Sequence, residues 1–143
     1  MSENCADESM LGNDVTFKRG DGASPEQFVL VGTVTDLGGP NKKKDTKENT
    51  KRGQSWKTYF GTLRDAGEVK LKIKSKPGHT DFDRLEADFD DDDCPRNYQI
   101  VFEPISKTLQ VAAIATAFEP EYPQDDQVMA SVTLKVSGKP VWL

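Results

Sequence analysis

The clearest pattern in the chain is an alternation of apolar and polar residues close to its end. Val128, Ala130, Val132, Leu134 and Val136 fall on one side of an extended backbone. The residues that alternate with them are Met129, Ser131, Thr133, Lys135 and Ser137. A two-residue period of this kind is typical of a strand with one buried face. A strand cannot pair its own backbone donors and acceptors, so earlier segments must supply its neighbours.

Shorter runs of the same type predict those neighbouring strands. The runs that alternate or are rich in large apolar residues are 15–19, 28–37, 56–60, 69–74, 96–102 and 109–118. Turn-forming residues separate most of them, and the first two runs are predicted to form a hairpin. In 69–74 the apolar residues alternate strictly with Lys70, Lys72 and Lys74, so the exposed face of this strand should be basic.

One helix is predicted between the strands, over Asp81–Phe89, with Thr80 as its N-cap. Phe82, Leu85 and Phe89 recur at intervals of three and four residues, which gives one apolar stripe that can lie across a sheet. Strands and helix together predict an α+β chain of mainly antiparallel β structure. We expect two packed β-sheets, as a sandwich or partial barrel, with one flanking α-helix and a long mobile loop.

The pattern of apolar and polar residues also predicts a single domain with a short segment at each end. Residues 1–12 are polar and acidic, which predicts a disordered N-terminal tail. The domain should span 13–140, with 141–143 as a C-terminal end. Within it, about 38–55 is predicted to be a long flexible loop, because 41–54 contains no apolar residue that could anchor it to a core.

The predicted loop is basic, and an acidic run follows the helix. The basic residues of the loop are Lys42, Lys43, Lys44, Lys47, Lys51 and Arg52. They indicate either a solvated loop or an arm that binds an acidic surface or phosphates. The acidic run contains Asp88, Asp90, Asp91, Asp92 and Asp93. It lacks the ligand positions of an EF-hand loop, so a solvated acidic turn is favoured over a cation site.

Composition narrows the class of protein further. The chain has 143 residues, of which 35% are hydrophobic and 30% charged, as expected for one soluble domain. Its net charge of −5 argues against a general phosphate-binding surface. We find neither a signal peptide nor the roughly 18 consecutive apolar residues of a membrane span, so we expect no membrane partner and a protein that stays in the cytoplasm where it is made. Cys5 and Cys94 are predicted to be free thiols.

Nothing in the sequence has the pattern of a catalytic, cofactor-binding or metal site. His79 is the only histidine and lies in a predicted turn, and no serine or cysteine has the context of a nucleophile. There is no phosphate-binding glycine-rich loop and no cluster of His and Cys residues. A small enzyme would require a pocket around His79 with a partner carboxylate. We therefore expect a binding or structural role, without cofactors.

Four blocks of sequence, taken together, resemble a known family. They are Leu63–Val69, Arg96–Phe102, Ala117–Pro120 and Ala130–Pro140. Their order and spacing, from about Asp14 to Pro140, are similar to those of the major tail tube proteins of long-tailed, lambda-like bacteriophages.

The resemblance implies both a fold and a function. The implied fold, two β-sheets in a sandwich or partial barrel with one helix, agrees with the prediction from the residues. The implied function is that of a structural virion protein whose subunits close hexameric rings, which stack into a hollow tail tube. DNA would pass through the bore during ejection without specific binding. The implied partners are other copies of the chain and other tail proteins, namely the tape measure, tail tip and terminator. The location would be the virion tail, after assembly in the host cytoplasm.

Two hypotheses about contacts follow from the resemblance. The basic residues Lys42, Lys43, Lys44, Lys47, Lys51 and Arg52 would meet Asp88 and Asp90–Asp93 of a neighbouring ring. Ser131, Thr133 and Lys135 would face the bore or another subunit, since small polar side chains suit a surface along which DNA moves.

The alternative function is a small DNA-binding module that uses the basic loop 42–52 together with Lys70, Lys72 and Lys74.

Overall fold

The structure is a computed structural model that describes residues 10–22, 24–91 and 94–143. Most of the predicted N-terminal tail, residues 1–9, lies outside the described residues. The strands are β1 (Val15–Gly20), β2 (Phe28–Leu30), β3 (Val34–Gly38), β4 (Lys43–Glu48), β5 (Tyr59–Asp65), β6 (Glu68–Ile73), β7 (Arg96–Phe102), β8 (Lys107–Glu121) and β9 (Met129–Trp142). The helix α1 is Thr80–Asp91, and short 3-10 turns lie at Gly12–Asp14 and Glu103–Ile105.

Seven strands form one antiparallel sheet in the order β2-β1-β7-β8-β9-β6-β3. Its two edge strands, β2 and β3, are consecutive in sequence and are joined only by residues 31–33. A link of this length spans at most about 14 Å, whereas seven strands in a flat sheet would separate its edges by about 29 Å. The sheet must therefore roll until the end of β2 lies within about 14 Å of the start of β3. The Val31 amide donates a hydrogen bond of 2.9 Å to the Phe17 carbonyl, which extends the pairing of β2 with β1 into this link.

The hydrophobic core fills the inside of this rolled sheet. On β9, Ala130, Val132, Leu134 and Val136 are between 0% and 5% exposed, which confirms the alternation read from the sequence. They share one apolar cluster with β6 and with Phe17 and Tyr98 of the opposite wall. Fully burying one such aliphatic side chain stabilises a fold by about 1.5–3 kcal/mol. The predicted fold class is thus confirmed. The two β layers that pack against each other are two walls of one rolled sheet, which does not close into a barrel.

Helix α1 lies where the sequence predicts it, but its buried face is rotated relative to the predicted stripe. Phe82 and Leu85 are buried, and the Phe82 ring packs edge-on against Phe118 of β8 at 5.1 Å between ring centroids. Phe89, the third predicted member, is 45% exposed. Asp88 takes the inward position in the last turn because its carboxylate is paired inside the subunit, as described below.

Two boundaries differ from the prediction. The run 28–37 is two strands on opposite edges, because the backbone leaves the sheet at residues 31–33. Pro140 does not end β9, which continues to Trp142 opposite Leu109. Proline is tolerated there because the β8–β9 register shifts between Gln110 and Ala112, so its missing N–H interrupts no regular ladder. Residues 141 and 142 therefore belong to the sheet.

The segment predicted as a long loop, about 38–55, contains regular structure. β4 pairs with β5 as a separate two-stranded antiparallel sheet, and every residue of both strands is exposed. The pattern of apolar residues could not reveal β4, because backbone hydrogen bonds to β5 hold it in place of core contacts. We call residues 41–65 the arm. That the arm is mobile in a free subunit stays a prediction.

Candidate assembly surfaces

The arm has an ordered tip between its two strands. The Asn49 amide donates to the Thr58 carbonyl at 2.7 Å, and the Gln54 amide donates to the Lys51 carbonyl at 3.2 Å. Gly53 has φ of +91°, in the left-handed region that glycine adopts without strain. The tip is thus a hydrogen-bonded turn that holds its side chains in defined places.

Charge is distributed very unequally between the arm and the rest of the subunit. Residues 41–65 hold eight of the 19 Lys and Arg residues but three of the 24 Asp and Glu residues, a net charge of +5. The remainder of the chain therefore carries a net charge of −10. All six predicted contact residues of the arm are exposed, namely Lys42, Lys43, Lys44, Lys47, Lys51 and Arg52. The structure thus brings them together on one projecting element.

The arm also exposes large apolar side chains. Trp56 is 84% exposed and Leu63 78%, while Tyr59 and Phe60 are about half exposed. A single exposed apolar residue is ordinary, but a group on one element indicates a surface that another molecule covers.

The root of the arm is fixed to the sheet by a carboxylate. Asp65 accepts a hydrogen bond from the Gly67 amide at 2.9 Å and forms an ion pair with Lys135 at 3.2 Å. These two interactions, the amide first, lower the pKa of Asp65 below its ordinary value of 3.8. Gly67 has φ of +75°, and a Cβ there would collide with the Asn41 carbonyl oxygen. Lys135, predicted to face the bore or another subunit, therefore has a partner in its own subunit.

Ser131 and Thr133 lie near each other on the outer face of the sheet. Ser131 is paired in register with Lys72 on one side and Glu119 on the other, and Thr133 with Lys70 and Ala117. Both side chains are partly exposed. The outer face of the sheet is therefore polar at this place, and its orientation toward a bore stays a prediction.

The arm and the helix are attached to opposite ends of the rolled sheet. The arm connects the end of β3 to the start of β6, whereas α1 connects the end of β6 to the start of β7. The arm therefore enters β6 at its start, and α1 leaves β6 at its end. Because neighbouring strands alternate in direction, the two connections lie at opposite ends of the sheet. The turn between β8 and β9 lies at the helix end. Segments 74–91 and 119–128, which form that end, contain ten acidic and three basic residues.

Asp88 is not an exposed member of the predicted acidic patch. It is 1% exposed, and its carboxylate binds Arg19 at 2.5 Å, Arg96 at 3.2 Å and the Tyr98 hydroxyl at 2.8 Å. Burial, and then the charge of Asp88, raise the pKa of Tyr98. A buried carboxylate requires such partners, and here they hold the C-terminal part of α1 to β1 and β7. The interpretation of Asp88 as part of a solvated turn was therefore wrong.

Of the other predicted acidic residues, the structure describes Asp90 and Asp91. Asp90 is exposed on α1 and Asp91 ends the helix, while Asp92 and Asp93 lie outside the described residues. The exposed acidic residues at the end of β8 and in the β8–β9 turn, which were not predicted as contacts, lie at the same end of the sheet. They are Glu119, Glu121, Asp125 and Asp126.

An apolar groove at the helix end was also not predicted. Phe82, Phe89, Phe118 and Tyr122 line it, Glu86 and Asp90 lie at its rim, and its volume is about 470 Å³. Its residues come from α1 and from the end of β8, and no spacing along the chain indicates that they meet.

His79 does not have the surroundings of a catalytic residue. Its Nδ1 accepts a hydrogen bond from the Asp81 amide at 3.2 Å, in the first turn of α1. It lines an open pocket with Ser75 and Asp126, but no hydrogen bond or ion pair joins His79 to that carboxylate. Among residues 10–22, 24–91 and 94–143, no group of His, Cys, Asp and Glu could hold a metal ion. The same residues contain no helix with the length and apolar composition needed to cross a membrane.

The family model described as lambda phage tail tube protein, TTP, matches residues 15–143. The chain belongs to this family. The resemblance drawn from the four sequence blocks is therefore confirmed. This tail tube protein is a structural component of a phage virion tail and not an enzyme. No curated protein sequence matches it significantly.

Solved structures share the fold of this tail tube protein at low sequence identity. A chain from the tail of an empty GTA particle, a structure with C6 symmetry, is similar with a TM-score of 0.75 and 15% identity, covering 94% of this chain and 99% of that one. A chain from the sheath-tube complex of PVC, an extracellular contractile injection system, has a TM-score of 0.71 and 13% identity, covering 99% of each. The cap that terminates the tube of the anti-feeding prophage gives a TM-score of 0.69 at 14% identity, over 99% of this chain and 95% of that one.

Proposed function

We propose that this tail tube protein closes into hexameric rings, and that the rings stack into a hollow tube through which DNA passes during ejection. The observation that carries the proposal is the basic, fully exposed arm at one end of a sheet whose other end is acidic. A subunit with complementary opposite ends stacks head to tail, and such contacts continue without limit. The C6 symmetry of the similar GTA tail supports the hexamer.

Ring closure would use the two edges of the rolled sheet. The edge strands β2 and β3 each leave one row of backbone groups without a strand partner. Val29 and Leu30 of β2 are 41% and 49% exposed, so a neighbour's edge would also cover apolar area. Exposed edges are a liability in a monomer, but in a closed ring every edge is paired.

Stacking would use the arm. Its basic residues Lys42–Lys44, Lys47, Lys51 and Arg52 would meet the exposed acidic residues of the helix end in the adjacent ring. Asp90 remains in this contact, whereas Asp88 is replaced by the acidic β8–β9 turn, because Asp88 is buried. Exposed pairs are screened within about 8 Å at 0.15 M salt, so stacking should weaken as salt rises.

The bore would be lined by polar positions of the outer sheet face, with Ser131 and Thr133 as candidates. DNA would pass them without specific binding, since a surface that held phosphates would slow ejection. We infer that the further partners are the tape measure, tail tip and terminator proteins of the same tail, and that assembly takes place in the host cytoplasm.

Electron microscopy of the concentrated protein in 50 mM and 500 mM salt tests the proposal. We expect rings or hollow tubes with six-fold symmetry, which become fewer at high salt. The triple variant K42E/K43E/K44E should lose the tubes, whereas K42R/K43R/K44R, which keeps the charge, should retain them. Tubes that are unaffected by the charge reversal would refute the role of the arm. A monomer that forms no rings but shifts duplex DNA in a gel would favour the DNA-binding module instead.

A further inference from the structure

The tip of the arm presents one large apolar side chain in a basic setting. Trp56 is 84% exposed, and Lys51, Arg52 and Lys57 lie within five residues of it. The turn around it is fixed by the Asn49 to Thr58 hydrogen bond and by a hydrogen bond of 3.0 Å from the Thr58 amide to the Thr50 hydroxyl. An aromatic side chain held on an ordered turn loses little conformational entropy on binding, which is why tryptophan often dominates an interface.

The groove at the helix end has the complementary properties. Its walls are aromatic, and Phe89 and Tyr122 in them are 45% and 66% exposed. Its rim carries Glu86 and Asp90, both exposed. A volume of about 470 Å³ lies within the range of sites that enclose a group much larger than an indole. An apolar groove with acidic edges thus matches an apolar tip with basic edges.

A second copy, and not the same chain, must supply the tip to the groove. The arm and the helix are attached to opposite ends of the sheet, and every residue of β4 and β5 is exposed in its own subunit. Two copies stacked head to tail bring the arm of one to the helix end of the other.

We propose that Trp56 of one subunit inserts into the groove between α1 and the end of β8 of a subunit in the adjacent ring. Phe89 and Tyr122 close on the indole, while Lys51, Arg52 and Lys57 face Glu86 and Asp90. This inference rests on the proposed stacking function and names the contact that fixes it. The contact is heterologous, because the tip and the groove are different surfaces. Each added ring therefore still presents unoccupied tips or grooves to the next ring.

Disulfide cross-linking of assembled tubes tests the contact directly. In a background with Cys5→Ser and Cys94→Ser, Ser55→Cys places a thiol beside an intact Trp56, and Asp90→Cys places one at the rim of the groove. Oxidation should give ladders of linked subunits on a non-reducing gel. The control pair, Ser55→Cys with Lys107→Cys, has its second thiol at the opposite end of the sheet and should give no ladder.

A second measurement separates the tip from the rest of the arm. Trp56→Ala should raise the protein concentration needed for tube formation at least tenfold, whereas Thr46→Ala, also exposed on the arm but on β4, should change it less than threefold. Both variants should keep the wild-type melting temperature, because neither side chain is buried in the monomer. Tubes of the Ser55→Cys/Asp90→Cys variant that give no ladder, or equal effects of the Trp56 and Thr46 substitutions, would overturn the inference and leave the proposed function standing. Absence of rings and tubes from the wild type would overturn both.

Discussion

Removing the charge of Asp88 should destabilise the subunit far more than removing the charge of its exposed neighbour Asp90. In Asp88→Asn the side chain keeps its size, so no cavity forms. The neutral amide, however, no longer balances the guanidinium groups of Arg19 and Arg96, which are 14% and 19% exposed. Arg19 alone makes two hydrogen bonds to this carboxylate, from Nε at 2.7 Å and from a terminal nitrogen at 2.5 Å.

The expected magnitude follows from the burial of the three groups. Breaking a buried ion pair by removing one partner costs about 3–5 kcal/mol. The two arginines keep some contact with water, so the lower end of that range applies, and we expect a loss of about 3 kcal/mol of unfolding free energy. For a chain of this size that corresponds to a fall of about 10 °C in melting temperature. Tyr98→Phe removes one hydrogen bond of the same cluster and should cost about 1 kcal/mol.

Urea unfolding followed by circular dichroism measures these losses. Asp90→Asn is the matched control, because Asp90 is an exposed aspartate on the same helix, and it should stay within about 0.5 kcal/mol of the wild type. If Asp88→Asn and Asp90→Asn have the same midpoint, the carboxylate of Asp88 does not stabilise the fold in the way its contacts indicate.

Two further predictions concern β9 and the root of the arm. Val132→Asp places a charge in the core and should prevent folding. Ser131→Ala should leave the melting temperature of the monomer unchanged and alter only the tube. Equal loss of monomer stability in the two variants would contradict this assignment of faces. Asp65 has a lowered pKa in the folded chain, so its interactions stabilise the arm root above pH 3.8 and are lost as pH falls through the lowered value. The amide shift of Gly67, followed by NMR from pH 6 to pH 2, should therefore titrate with a midpoint below 3.8, and a midpoint at or above that value would refute the contact.

Elements whose apolar residues face the core could be predicted from the sequence. The alternation along β6, β7 and β9 and the spacing of Phe82 and Leu85 in α1 both reflect burial, and burial is what fixes these elements. β4 leaves no such trace, because it pairs through its backbone and buries nothing. Its regular structure depends on β5, which follows more than ten residues later.

The assembly surfaces were only partly predictable, for a related reason. The basic residues of the arm could be found because they are adjacent in sequence. Asp88, however, was read as solvated because it precedes four further aspartates, while its partner Arg19 is 69 residues away. The groove joins α1 to Phe118 and Tyr122 of a distant segment, so only the folded chain brings its walls together.

Charge and apolar contact would have different tasks in the proposed stack. Two helix ends are both acidic and two arms are both basic, so electrostatic repulsion disfavours head-to-head pairs, which would end a stack after two rings. Charge therefore sets the direction in which rings are added to the stack. Between exposed groups, however, electrostatic attraction acts only over about 8 Å at 0.15 M salt, so it does not fix the rotation of one ring on the next. A single indole in a groove fixes that rotation, because only one alignment of two six-fold rings, repeated by their symmetry, fills every groove at once. The arm thus needs both properties: a basic surface to select the partner end, and an apolar tip to define the register.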